Sequence, residues 1–161
     1  MTKIASLASC GLLLLSSVLM AHVSGRMTGG GSIFEGDLRI THGFELHCGT
    51  NDEGTDIPEP NNLEINWNGN RFHLESMLFA VCTLDGDPFP PSAPFTDYDA
   101  AGLGRYNGAP GYRASWRFTD YGEPGTADLV IRLTIVGPSG DVVLNVTSPV
   151  ALTFGNHQAH K

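Results

Sequence analysis

The sequence has little positive charge. Its 161 residues contain nine Lys and Arg against seventeen Asp and Glu, which gives a formal net charge of −8. An acidic chain of this kind lacks the cations needed to neutralise nucleic-acid phosphates or to bind an anionic membrane surface. We therefore expect neither partner. At this length a single domain with a core of its own is expected.

Long apolar runs are missing except for one near the N-terminus, over residues 11–20. That run has the length of a signal-peptide core and is too short for a normal membrane span. Small residues at its exit predict cleavage after Ala21 or after Gly25. We expect residues 1–25 to be a signal peptide and residues 26–161 a single secreted domain. The predicted location is extracellular or periplasmic, without a membrane span.

Cysteine is scarce, with three in the chain. Cys10 is lost with the predicted signal peptide, which leaves Cys48 and Cys82 as an even pair in an oxidising compartment. We therefore predict a disulfide between them. A bridge closing a loop of this length contributes about 3–4 kcal/mol in the chain-entropy model. Two buried free thiols are the alternative.

Amphipathic helical patterns are also absent after the signal core. Apolar and polar residues alternate instead over 39–48, and this period of two is typical of a half-buried strand. Further alternating runs occupy 63–68, 71–75, 113–118, 129–135 and 142–146. Within them, the pattern places Trp67 and Trp116 in the core.

Turn residues separate the alternating runs. Asn68-Gly69 between two runs is the strongest short hairpin signal, and it aligns Trp67 with Asn70. Residues 137–140 predict a second hairpin, and Asn107-Gly108 predicts another turn. Irregular loops are expected at 49–61 and 84–95. The chain is thus predicted to be all-β: a β-sandwich or jelly-roll-like barrel of about seven to nine antiparallel strands with one disulfide.

Seven segments stand out together. They are 28–33 (TGGGSI), 41–48 (THGFELHC), 61–67 (NNLEINW), 69–75 (GNRFHLE), 104–108 (GRYNG), 120–125 (DYGEPG) and 155–160 (GNHQAH). In combination they resemble a β-rich module of bacterial exported and cell-surface proteins, similar to the post-COAP module. The resemblance covers nearly the whole chain after the signal peptide and implies an extracellular β fold. It implies no settled activity, so no catalytic residues follow from it, and the family's multidomain pattern is missing because the module stands alone.

Histidine is abundant, with six in the chain, and several lie near glutamates on predicted strand faces. Imidazole and carboxylate groups together are ligands for zinc or copper. The candidate metal ligands are His47, His73, His157, His160, Glu45, Glu64 and Glu75. No compact signature such as His-Glu-x-x-His is present, and hydrogen-bonded surface histidines are the alternative interpretation. His42, on an apolar face, is predicted to be a core histidine whose second nitrogen is held by backbone.

Other sites are weaker hypotheses. Cleavage after Ala21 would expose His22 as an N-terminal copper ligand. Clustered oxygens in 51–56, 85–87 and around Asp120, Glu123 and Asp128 could bind calcium, although turns use the same residues. A sugar-stacking surface could come from aromatic residues near turns, namely Tyr98, Tyr106, Tyr112 and Tyr121.

Catalytic signatures are missing, since no serine lies in a Gly-x-Ser-x-Gly elbow and both later cysteines are assigned to the disulfide. The leading hypothesis is therefore a secreted, non-enzymatic β module that binds an extracellular protein or glycan or builds a surface assembly. The alternatives are a metal-binding protein or metalloenzyme using the His/Glu set, with zinc, copper or calcium as the metal, and a carbohydrate-binding module.

Overall fold

A computed structural model describes residues 23–84 and 94–161. The predicted all-β class is confirmed, with ten strands in these two ranges rather than seven to nine. The strands are β1 Arg26–Glu35, β2 Leu38–His47, β3 Asn62–Trp67, β4 Asn70–Thr83, β5 Asp97–Tyr106, β6 Ala109–Thr119, β7 Leu129–Val136, β8 Val142–Val146, β9 Val150–Ala151 and β10 Phe154–His160, and a 3-10 turn occupies Gly125–Ala127. Within the described ranges no helix is long and apolar enough to cross a membrane.

All ten strands belong to one antiparallel sheet in the order β10-β1-β2-β3-β4-β5-β6-β7-β8, with β9 beside β7. Consecutive strands are neighbours, so the sheet from β1 to β8 is a meander built from hairpins. The last segment departs from this pattern. Its first part, β9, pairs with β7, whereas its second part, β10, pairs with β1. This segment therefore spans from one end of the sheet to the other, although no continuous ladder closes the sheet.

The sheet folds over on itself, and its inner face forms the core. The ring of Phe118 on β6 lies 5.1 Å from that of His42 on β2. The Tyr98 hydroxyl on β5 donates a hydrogen bond to the backbone carbonyl of His47 at 2.8 Å. Trp67 and Trp116 are buried, as the alternation predicts. Strands that are distant in the sheet order are thus packed face to face.

The hairpin predictions are confirmed in register. Trp67 pairs with Asn70 across the β3–β4 turn. Asn68 and Asn107 both have positive φ, at 43° and 49°, and each is followed by a glycine with positive φ. That geometry belongs to the two-residue turns whose twist matches a β-hairpin, and it explains the Asn-Gly sequences. Residues 137–140 join β7 to β8 as expected.

The outer edge of β10 is covered by carboxylates instead of another strand. Asp120 Oδ2 accepts a hydrogen bond from the backbone N–H of Ala159 at 2.8 Å, and Asp128 Oδ2 accepts one from that of His157 at 2.7 Å. Glu123 accepts hydrogen bonds from the side-chain amides of Asn156 and Gln158. An exposed edge strand is a template for unwanted pairing. Here the segment between β6 and β7 satisfies that edge.

The glycine run 29–31 lies inside β1, where neighbouring strands approach closely. A Cβ atom on Gly30 would lie 2.7 Å from the carbonyl oxygen of His42 and 3.1 Å from Cα of Gly43. Side chains do not fit at such distances. The glycine run is therefore required by a close approach of neighbouring backbones.

The disulfide between Cys48 and Cys82 is confirmed, with a Cα–Cα distance of 5.7 Å. It ties the chain just after β2 to β4. The two cysteines also bond to the segment before β1, since Cys48 N–H donates to Gly25 O at 2.9 Å and Val23 N–H donates to Cys82 O at 3.2 Å. Val23 and Gly25 are therefore hydrogen-bonded to the backbone of the two disulfide cysteines.

Some predictions fall outside the described residues. They concern the signal core at 11–20 with Cys10 and the cleavage site after Ala21, the copper hypothesis at His22, and the acidic loop 85–87. These stay predictions.

Candidate functional site

The histidines predicted as metal ligands lie on different faces of the sheet. His157 is fully buried on the inner face, whereas His47 is half-buried and His73 is exposed. His47 lies four residues along β2 from Gly43, the residue in the same row as His73. Four strand residues span roughly 13 Å, and two strand spacings add about 10 Å across the sheet. These three imidazoles therefore do not meet.

His160 and His47 flank a cation. Both pair in register with Arg26, which lies between them on β1. His160 Nε2 is 2.8 Å from the Thr28 hydroxyl, and His47 Nδ1 is 2.9 Å from the carbonyl oxygen of Pro60. Each imidazole thus has a local hydrogen-bond partner, and Arg26 on β1 lies between the two histidines.

The predicted glutamate ligands are engaged by nitrogen donors. Glu45 pairs with Arg26 at 2.8 Å, and Glu75 pairs with Arg105 at 2.5 Å. Glu64 accepts a hydrogen bond from the Asn66 side-chain amide at 3.1 Å.

Within the described residues, no group of three or more His, Cys, Asp and Glu side chains could hold a metal ion. The described part of the chain thus offers no cluster in support of the metal hypothesis.

The oxygens proposed as calcium ligands are engaged in hydrogen bonds in the loops that the structure describes. In the loop 51–56, Asn51 Oδ1 accepts hydrogen bonds from the backbone N–H groups of Thr55 and Asp56, and Asp56 Oδ2 accepts one from Thr50. Asp120 and Asp128 hold the edge of β10. These oxygens are occupied in stabilising their own segments, so calcium binding stays a prediction without support from the geometry.

The tyrosine prediction needs one correction. Tyr98 lies within β5 and is fully buried, because its ring fills the core and its hydroxyl bonds to the His47 carbonyl. It cannot stack on a sugar. Tyr106 packs against Trp67 at 5.5 Å and against Tyr112 at 5.0 Å, so this aromatic set is largely occupied with itself.

A buried histidine pair lies at the centre of the core. The Nε2 atoms of His42 and His157 are 2.7 Å apart, and His157 Nδ1 is 2.9 Å from the backbone carbonyl oxygen of Thr119. A carbonyl only accepts, so His157 Nδ1 carries the proton and its Nε2 is an acceptor. His42 Nε2–H must then be the donor between the rings. This leaves His42 Nδ1 as a bare acceptor, and it has no hydrogen-bond partner among the described residues.

The pairing corrects the interpretation of His42, since the histidine with a nitrogen held by backbone is His157. The two rings also sit too close for a shared metal. Zinc–nitrogen bonds of about 2.0–2.1 Å in tetrahedral geometry separate two ligand nitrogens by roughly 3.3 Å. The separation of 2.7 Å is that of a hydrogen bond. The pair thus holds a proton between two neutral imidazoles.

Burial makes both imidazoles poor proton acceptors. It lowers the pKa of His42 to about 3, with a smaller contribution from the charge of His157. It lowers the pKa of His157 to about 4, although the hydrogen bond to Thr119 acts in the opposite direction. Nearby, burial raises the pKa of Asp128 to about 6, against the effect of the two backbone N–H groups that its carboxylate accepts. Near neutral pH the pair is uncharged.

An open groove of about 390 Å³ lies on the other side of the sheet, beside the β3–β4 hairpin. Most of its lining residues have polar side chains, and the buried Trp67 is also part of the lining. The polar ones are Arg39, Thr41, Asn66, Asn68, Asn70 and Arg71. The ladder aligns Thr41 with Asn66 and Asn66 with Arg71. These three residues form a row across β2, β3 and β4, which spans about 10 Å.

Two tight turns stabilise this end of the sheet. Asn107, in the β5–β6 turn, donates its backbone N–H to the Arg71 carbonyl at 2.8 Å and accepts the Arg71 N–H on its side chain at 2.9 Å. Asn70 Oδ1 accepts hydrogen bonds from both Tyr106 and Asn107. Hydrogen bonds between the two turns therefore hold the backbone at this end of the groove in place.

Comparison of the chain with protein-family models, with curated proteins and with solved structures gives no match. The resemblance to the post-COAP module therefore stays a prediction. The groove could not be read from the sequence, because its arginines and amides come from separate strands. His157, the partner of His42, could not be predicted for a different reason. Residues 155–160 show no alternation of apolar and polar residues, so the sequence did not indicate that they form a strand.

Proposed function

We propose that this protein is an exported, non-enzymatic β module that binds an extracellular partner through the groove beside the β3–β4 hairpin. One observation carries the proposal: hydrogen-bonding and charged side chains of three strands converge on an open groove, and the surrounding backbone is held by two interlocked turns. A preformed site on rigid strands loses little entropy when a ligand binds.

Export is supported by the chemistry of the disulfide. Bridges persist in oxidising compartments and are rare in the cytosol of most organisms. The bridge between Cys48 and Cys82 joins the chain after β2 to β4, and the backbone of its cysteines is hydrogen-bonded to Val23 and Gly25. The apolar run at 11–20 provides an export signal of suitable length.

A binding role is favoured over catalysis because of where the titratable groups lie. The histidine pair is enclosed in the core, and three of its four ring nitrogens are directed at each other and at the Thr119 carbonyl. A general base must be within reach of its substrate. The groove itself is lined, among the described residues, by guanidinium, amide and hydroxyl groups, which bind and orient ligands.

The test is a binding screen that assumes no ligand class. Isotope-labelled protein is exposed to panels of soluble polysaccharides and peptides, and backbone amide shifts are recorded by NMR. We expect saturable shifts for at least one class of ligand, centred on Thr41, Asn66 and Arg71. Shifts centred on another surface, silence across the panels, or turnover of a ligand would contradict the proposal.

The metal alternative has its own test. Elemental analysis of protein purified without chelators measures zinc, copper and calcium per chain. A stoichiometric metal that is lost on substitution of His47 and His73 would favour the alternative.

A further inference from the structure

The groove carries positive charge, although the chain as a whole is acidic. Arg26, Arg105, Arg117 and Arg132 each pair with a carboxylate. Arg39 and Arg71 differ, because among the described residues neither guanidinium has an ion-pair or hydrogen-bond partner, and both are exposed and line the groove. Their charges are therefore available to a ligand in a chain whose formal net charge is −8.

The arrangement of the two arginines suits an anion. In the described lining no acidic side chain is present. Arg71 on β4 lies directly across from Asn66 on β3. Thr41 on β2 lies across from Asn66 on its other side, and Arg39 is two residues from Thr41 along β2. An anionic group placed over Asn66 can thus meet a guanidinium on either side. Guanidinium groups bind carboxylate, sulfate and phosphate oxygens with paired, charge-assisted hydrogen bonds.

The remaining lining suits a polyhydroxylated ligand. Glu64 lies two residues from Asn66 on β3, where it accepts the Asn66 amide N–H at 3.1 Å. That bond directs the donor end of Asn66 away and leaves its Oδ1 as an acceptor. Thr41 and Asn68 add further hydrogen-bonding groups. Sugar hydroxyls both donate and accept, so they match such a mixed set.

Given the proposed function, on which this inference rests, we propose that the groove binds an acidic saccharide, with Arg39 and Arg71 on its anionic group and Asn66 and Thr41 on its hydroxyls. Uronate carboxylates and sulfate esters share this chemistry. The volume of about 390 Å³ is enough for one or two sugar rings.

Calorimetric titration tests the proposal with four probes on the wild-type protein. They are trigalacturonate, the neutral trigalactoside, a sulfated heparin-derived tetrasaccharide and a hexaglutamate peptide. We expect one of the two acidic saccharides to bind at least tenfold more tightly than the neutral sugar and the peptide, with an affinity that falls as salt increases. The tighter of the two identifies the anionic group.

Variants locate the site. Arg39→Ala and Arg71→Ala should each weaken binding about 10- to 100-fold, the range for hydrogen bonds to a charged group. Arg113→Ala is the matched control, because Arg113 is also exposed and lies outside the groove, facing Leu103 and Val136 in the ladder. Its affinity should stay within about twofold of wild type. Thermal unfolding checks that each variant is folded.

Three results would overturn the inference: equal binding of neutral and acidic sugars, tighter binding of hexaglutamate, or equal losses in Arg71→Ala and Arg113→Ala. In each of these the broader proposal can still stand if the NMR screen places another ligand in the groove. The proposed function fails separately, when that screen finds no ligand of any class.

Discussion

Substitution of His42 by glutamine should change how the stability of this protein depends on pH. Both histidines of the buried pair have pKa values below the ordinary value of 6.5, at about 3 for His42 and about 4 for His157. The unfolded chain therefore binds more protons than the folded chain as the pH falls below about 6.5. Stability contributed by the neutral imidazoles is present above that pH and is lost as the pH falls towards the folded values.

The size of the effect follows from the pKa difference. At pH 4.5, about two units below the unfolded pKa, His42 is still neutral in the folded protein. Each unit corresponds to about 1.4 kcal/mol, so His42 alone accounts for a loss of roughly 2–3 kcal/mol between pH 7.5 and pH 4.5. The variant lacks this contribution, since glutamine does not titrate, yet its amide can still donate to His157 Nε2.

Other titratable groups around the pair are common to both proteins. Asp128 acts in the opposite direction, because its raised pKa of about 6 favours the folded state as the carboxylate becomes protonated. His157, Asp120 and Glu123 are likewise present in both. Their contributions cancel to first order when wild type is compared with His42→Gln at each pH.

The assay is urea unfolding followed by tryptophan fluorescence, which reports on the buried Trp67 and Trp116. Relative to His42→Gln, the free energy of unfolding of wild type should fall by about 2–3 kcal/mol from pH 7.5 to pH 4.5. His73→Gln removes an exposed histidine and should keep the wild-type profile. Parallel curves for wild type and His42→Gln would refute the reasoning, as would an NMR spectrum with the proton of His42 on Nδ1 at neutral pH.

Three further results are expected. Replacement of Cys48 and Cys82 by serine should lower the free energy of unfolding by about 3–4 kcal/mol, since the bridge closes 34 residues of sequence, and an unchanged urea midpoint would contradict this. N-terminal sequencing of secreted protein should give His22 as the first residue, because cleavage after any of residues 23–25 would remove hydrogen bonds to the cysteines, and a start at Ser24 or later would be inconsistent with this. Asp120→Ala should speed hydrogen exchange of the Ala159 amide, whose N–H bonds to Asp120, and should lower its protection free energy by roughly 1–3 kcal/mol. Unchanged exchange would argue that this amide is protected by other means.

The strands that could be predicted are those that present one apolar face. The runs over 63–68 and 71–75 gave β3 and the start of β4, and the Asn68-Gly69 turn set their register. The two-residue period works there because one side of the sheet is core and the other is solvent. The disulfide was predictable from the expected oxidising compartment and from the pairing of the two remaining cysteines.

The strands that escaped prediction lack that contrast. β1 contains the glycine run 29–31, which is required by backbone proximity and carries no apolar signal. β10 is polar in sequence, because its edge is hydrogen-bonded to carboxylates and the residue that it buries in the core is His157 instead of an aliphatic residue. The histidines of the candidate site were therefore noticed as a group, but their division between the two faces depended on pairings more than a hundred residues apart.

The route of the last segment from β7 to β1 affects the order in which the molecule can assemble. Strands β2 to β8 can be added one after another, since each forms a hairpin with its predecessor. The strand that covers β1 comes from the opposite end of the chain, and Arg26 pairs there with His160. Contacts this distant in sequence are slow to form, because a long loop must close first. We expect the arrival of β10 to be a late step, at which His157 reaches His42 and the core is sealed from water.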